Sequence, residues 1–351
     1  MSRARTEHTR RLPLLLVLPV SAALLLLATV IGIGSGPIDL SPATVLAVAA
    51  HEFLGIGQGA PALETTVVLD LRMPRILFGA LTGAALAVAG AALQSLFRNP
   101  LADPGIIGVS SGASTGAVGA IVLLPPMTGA LVTWAVPAIA FVGGLLATGL
   151  IYLLARPSAG TGTARLLLVG IAVGAGFAAL TGFFTFAADD DELESVVFWQ
   201  MGSLGSITWQ KLAVVVLPVL IGVGLLIILA RRLDLLTLGE RQAKHLGLDV
   251  NATRRSVIVL AALLTSVTVA FSGTIGFIGL VVPHIVRQLC GPAHRALLPV
   301  SAVVGALLIV VADTLSRVVA PPAEVPIGLF TSLLGAPFFL MLVLRSRAVQ
   351  L

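Results

Sequence analysis

The chain has 351 residues, of which 57% are hydrophobic and only 11% charged, and its mean hydropathy is +1.07. A soluble domain would need far more polar surface, so the composition excludes one and fits a polytopic membrane protein with lipid as its solvent. The single cysteine, Cys290, excludes an internal disulfide, and the net charge of +5 is read as membrane topology, with no nucleic-acid binding implied.

At roughly 20 residues per span plus short loops, the length holds about ten helices, giving an all-α fold with no separate soluble domain. The first apolar run, 12–33, follows Arg3, Arg5, Arg10 and Arg11. It is too long for a signal-peptide core and has no small-x-small exit, so it reads as an uncleaved span. Ser41 to Gly55 is amphipathic and is expected at the surface. Further spans are expected near 73–96, 105–124, 130–154, 166–187, 212–230, 256–273, 276–290, 297–319 and 326–344. The third and eighth are short or rich in glycine.

With both termini inside, the inner segments hold 17 of the 21 basic residues, as the positive-inside rule requires. Arg72, Arg75, Lys211 and Arg317 remain outside, together with the acidic run Asp189 to Glu194. The outer arginines either attract an acidic partner or snorkel to headgroups, and Arg317 also stands four residues after Asp313, a helical ion-pair spacing. The acidic run is expected to be a solvated loop.

Between spans six and seven lies RRLDLLTLGERQAKHLGLDVNATRRS. Thr237 and Glu240 have capping-box spacing and Gly247 supplies a stop, which predicts a polar helix of roughly ten residues. Asn251 is expected to cap span seven. Such a helix is either a handle for a partner or an ordered loop. Between spans two and three, RNPLADPGIIGVSSGAS interrupts the apolar pattern with prolines, glycines and serines. Irregular backbone at that depth is tolerated where it is buried in protein or faces a water-filled passage. Gly79, Gly83, Gly90, Gly170, Gly174 and Gly176 offer close helix approaches. His284 is expected to bond a neighbouring carbonyl.

No GxxxxGK[ST], HExxH, CxxC or GxSxG motif is present, so nothing points to an ATP-binding P-loop or to the chemistry of those enzymes. A lone acidic cluster on the outer side argues against a metal-dependent prenyltransferase. An ion-coupled carrier would want buried carboxylates in the spans, and only Asp313 offers one.

The stretches LRMPRIL (71–77), GAALAVAGAALQSLFRNPLADPGIIGVSSGA (83–113), FWQMGSL (198–204), LGERQAKHLGL (238–248), GTIGFIGLVVPHIVR (273–287) and VPIGLFTSLLGAPFF (325–339) run in order along the chain. In them it resembles the FecCD permeases of type II ATP-binding-cassette importers for iron chelates, haem and cobalamin. The resemblance implies one ten-span permease domain over 1–351, with an inner tail at 1–11 and a coupling segment at 232–255. It implies a homodimer in the cytoplasmic membrane, two ATPase subunits that carry ATP and Mg²⁺, and one periplasmic or lipid-anchored binding protein. It further implies that Arg72, Arg75 and Arg317 dock the binding protein, that Asn99, Pro100 and Leu101 form the inner gate, and that Leu238, Gly239, Glu240, Ala243, Leu246 and Gly247 couple to the ATPase. No catalytic, metal or cofactor site is implied on this chain. The cargo reading closest to these blocks is haem, with ferric siderophores and cobalamin as alternatives.

Overall fold

The computed structural model describes residues 12–57, 59–125, 130–155, 162–321 and 323–347. The tail 1–11 and Arg156 lie outside these residues. The described residues are helical or loop. The helices are α1 (Leu14–Gly34), α2 (Pro42–Leu54), α3 (Ala62–Thr66), α4 (Met73–Leu96), α5 (Val109–Leu123), α6 (Ala130–Ala155), α7 (Gly162–Ala187) and α8 (Asp190–Met201). They continue with α9 (Trp209–Ile228), α10 (Ala230–Thr237), α11 (Glu240–His245), α12 (Val250–Ser272), α13 (Ile278–Cys290), α14 (His294–Val318) and α15 (Ile327–Arg347).

All ten expected spans coincide with helices. By length and composition α1, the continuous α3–α4 rod, α6, α7, α9, α12 and α14 can cross a membrane, and α5, α13 and most of α15 are shorter apolar helices. A wider π-helical turn, Val67–Arg72, joins α3 to α4.

Burial separates a central helix from its surroundings. In α4, 78% of the apolar window is buried, against 11% in α1 and in α7. The reason is small side chains. A Cβ on Gly83 would lie 2.1 Å from the carbonyl oxygen of Gly305, and one on Gly90 would lie 2.2 Å from that of Gly279. α4 therefore meets α14 and α13 backbone to backbone, with the contact area that association in lipid demands. Gly170 makes a similar approach to Ile106, whereas Gly176 faces open space.

Two long-then-short pairs, α4–α5 and α12–α13, exchange partners: α4 packs on α13 and on α12, and α12 packs on α5. This is the reciprocal packing expected of inverted repeats. Each short helix follows a left-handed residue, Gly108 (φ +78) before α5 and Phe277 (φ +66) before α13. For phenylalanine this conformation is strained. Gly335 of α15 admits its ring, since a Cβ there would lie 2.3 Å from that of Phe277.

Several local expectations are corrected. Thr237 ends α10, where its hydroxyl bonds the carbonyl of Asp234. α11 is only six residues long and begins after Gly239 (φ +109) with no side-chain cap. Thr237 is thus held by the preceding helix, so no capping box forms. Asp249, not Asn251, caps α12 by accepting from the N–H of Ala252. The acidic run is a helix start: Asp189 and Glu192 form a full capping box on α8, favoured by carboxylates near the helix N-terminus.

Candidate functional site

Arg75 and Leu96 are 21 positions apart in α4, about 32 Å at 1.5 Å per residue, and Arg98 follows just beyond that end. That is roughly the thickness of a bilayer. The candidate residues therefore form two groups at opposite ends of the bundle.

At one end, Arg72, Arg75 and Arg317 line a depression of about 450 Å³ together with Asp70, Gly205, Ser206 and Glu324. They are not free prongs. Arg72 donates to the carbonyls of Ile33, Gly34 and Ile38. Arg75 Nε donates to Asp313 Oδ1 at 2.8 Å, and its Nη1 forks onto both oxygens of Glu324 at 2.9 and 2.8 Å. Arg317 takes the other Asp313 oxygen at 3.2 Å and the carbonyls of Gly32 and Ser35. The expected i,i+4 pair exists, and Asp313 is shared with a second arginine from α4. Asp313 is fully buried, whereas the Glu324 side chain is 40% exposed. Glu324 is thus the replaceable partner of Arg75. Its position, 249 residues away in sequence, is why no local pattern signals it.

At the other end α4 terminates in a Schellman motif: the N–H of Asn99 reaches the carbonyl of Gln94, and the N–H of Arg98 that of Ser95. The left-handed position usually taken by glycine is occupied by Arg98 (φ +47), at a cost of about 1–2 kcal/mol. The helix therefore ends before Pro100, which bars its resumption. Asn99 Oδ1 accepts from the N–H of Leu101, and Asp103 caps the single 3₁₀ turn Pro104–Ile107 through the N–H of Gly105. Burial raises the pKa of the Asp103 carboxyl, against the opposing hydrogen bond from Gly105.

A pocket of about 410 Å³ joins this loop to the segment before α11, being lined by Gln94, Arg98, Asn99, Pro100, Thr237 and His284 among others. His284 bonds the side chain of Gln288 at 2.7 Å, not a carbonyl. The residues expected from the resemblance to couple to an ATPase divide in their surroundings. Leu238 and Leu246 are 57% and 60% exposed, a conspicuous pair of leucines on a polar loop. Ala243 is buried, Glu240 pairs with buried Arg254 of α12, and Gly247 (φ +82) is the turn that follows.

Residues 24–345 match the sequence profile of the FecCD transport family. The chain belongs to that family. Similar proteins include the hemin transport permease HmuU of Yersinia pestis, 47% identical over 80% of this chain and 83% of that one. The cobalamin import permease BtuC of Halobacterium salinarum is 41% identical over 95% and 87%. The Fe(3+) dicitrate permease FecD of Escherichia coli is 41% identical over 80% and 86%. A chain of a metal-chelate-type ABC transporter in an inward-facing conformation superposes with a TM-score of 0.82 at 34% identity, over 94% of this chain and 99% of its own. This permease is a multi-pass membrane subunit of an importer of the metal-chelate and vitamin B12 type; in this family ATP is hydrolysed by separate subunits.

Proposed function

We propose that this permease moves haem across the cytoplasmic membrane as a homodimer, driven by two ATPase subunits and fed by a binding protein. The single observation that carries the transport reading is the shared pocket of gate loop and α11-side segment, a helix length of about 32 Å from the arginine cluster: one chain presents a docking end and a drive end. The bias of basic residues assigns the α11 end to the cytoplasm.

A carboxylate of the binding protein docks by replacing Glu324 on Arg75, while Arg72 and Arg317 stay anchored to carbonyls and keep the local potential positive. Leu238 and Leu246 enter the ATPase, and Glu240 and Ala243 hold the short helix to α12. Displacement of that segment opens the turn Asn99–Pro100–Leu101.

The cargo reading is supported by the 47% identity to the hemin permease. Cobalamin is the second reading, favoured by the longer alignment, 335 residues, to the Halobacterium protein. Uptake into proteoliposomes containing permease, ATPase and binding protein decides between them. Haem accumulation that needs both ATP and binding protein is expected. Accumulation of cobalamin or ferric dicitrate instead would reassign the cargo, and uptake driven by an ion gradient without ATP would overturn the whole reading.

A further inference from the structure

Three helices meet on one buried imidazole. His294, 1% exposed, opens α14, and its Nδ1 lies 2.6 Å from Asp234 Oδ1 on α10. The same oxygen accepts the backbone N–H of His294 at 2.9 Å. On the far side Nε2 bonds the hydroxyl of Ser95, a 5% exposed residue in the last turn of α4. Asp234 lies in the segment 232–255 and Ser95 lines the pocket beside Asn99, but none of the three is among the individual docking, gate or coupling residues named above.

The chemistry fixes the direction of each bond. A carboxylate oxygen only accepts, so Nδ1 carries the hydrogen, and in the neutral ring Nε2 accepts from Ser95. Because Asp234 holds both the ring and the first N–H of α14, the ring cannot swing independently of its helix. α14 has no side-chain cap of its own at Ala293, so the cap and its favourable charge at the helix N-terminus come from α10.

The position of the connector gives it a task. Asp234 lies six residues before Glu240, with only Leu238 and Gly239 between α10 and α11. Ser95 lies four residues before Asn99. The adjacent Gln94 donates to the carbonyl of Gly279 and accepts from Arg287, tying the same turn of α4 to α13. We propose that His294 is the positioning residue of transport: the chain Asp234–His294–Ser95 transmits displacement of the coupling segment to the gate. The proposal rests on the reading of α11 as the part that the ATPase moves.

A flexible apolar contact would slip under such a displacement. Two hydrogen bonds on opposite edges of a rigid ring hold both distance and angle: the one to Ser95 is buried away from water, and the one to the half-exposed Asp234 is doubled by the backbone N–H of His294 on the same oxygen. The joint can also release. The Ser95 hydroxyl is 3.1 Å from the carbonyl of Ala91 in its own helix, so its hydrogen has a second acceptor when the ring withdraws, and no donor is stranded on α4.

The test uses the full complex in proteoliposomes, with Leu101→Cys on a Cys290→Ser background and a maleimide as probe of the gate. In the parent, ATP is expected to change the labelling rate at position 101. Ser95→Ala, Asp234→Ala and His294→Gln are each expected to shrink that change about tenfold, within the 5–150-fold range of allosteric coupling, while ATP turnover by the partner subunits persists. Ser95→Thr, which retains the hydroxyl, should restore it. The Ser95→Ala/Asp234→Ala double variant should be no worse than either single, because the residues act in series.

Labelling that still responds to ATP in Ser95→Ala and Asp234→Ala would overturn the proposal, as would equal loss in Ser95→Ala and Ser95→Thr. A parent that hydrolyses ATP with binding protein yet shows no response at position 101 would instead refute the reading of the coupling segment and gate on which the proposal stands.

Discussion

Replacing Asp313 by alanine tests the arginine end most directly. The carboxylate is fully buried and holds Arg75 on one oxygen and Arg317 on the other. After its removal Arg75 keeps Glu324, and Arg317 keeps only the carbonyls of Gly32 and Ser35. Unpairing a buried charge costs about 3–5 kcal/mol, and the remaining carbonyl dipoles put this case near the lower figure. At about 2.1 cal/mol/K per residue, 351 residues give roughly 0.7 kcal/mol/K, so the unfolding midpoint should fall by about 4 °C. Tryptophan fluorescence during thermal unfolding in detergent reads this out, since the indole N–H of Trp209 bonds the carbonyl of Leu69 beside the cluster. The double variant Asp313→Leu/Arg317→Met removes both charges and should recover most of the loss, because an apolar replacement of a buried pair is often near neutral. An unchanged midpoint in Asp313→Ala, or a double variant worse than the sum of its singles, would refute the account of this end.

Gly83→Ala places a methyl group against a backbone carbonyl that cannot rotate away, and should destabilise by about 1–3 kcal/mol. Gly176→Ala, which meets nothing within 4 Å, should leave the stability within about 0.5 kcal/mol of wild type in the same melt. Leu246→Glu should abolish co-purification of the ATPase with no change in midpoint. Glu240→Ala should lower the stability by roughly 3 kcal/mol by stranding Arg254; both leucine and glutamate variants acting through stability alone would count against the division proposed for this segment. Burial raises the pKa of Asp103, so the folded state binds its proton more tightly than the unfolded chain does. That contribution favours folding at low pH and is lost as pH rises through the unfolded value near about 4 and on to the raised folded value. Asp103→Asn should accordingly be more stable than wild type at pH 7 and indistinguishable from it near pH 3.5, and an equal gap at both pH values would refute the assignment.

Much of the architecture is written in local pattern. The ten helices follow from runs of apolar residues that no soluble fold would leave uncovered, and Ser41 and Gly55 bound α2 because capping is a property of a few consecutive residues. Where two capping residues stood close together, local pattern misled: Thr237 and Asn251 had the right chemistry, but Gly239 and Asp249 held the right dihedral angles.

The candidate sites divide along the same line. Arg72, Arg75, Arg317 and Asn99 to Leu101 stand out in the sequence as charges and prolines that contradict the bilayer pattern around them. The contacts that hold the polar groups at both ends come from far along the chain: Glu324 on Arg75, Asp234 and Ser95 on His294, Gly279 on Gln94. Each such pairing depends on where helices cross, and the crossings depend on glycines meeting backbone to backbone. Hydrophobic periodicity reports only that a face is buried, never which polar atom waits on the other side of it.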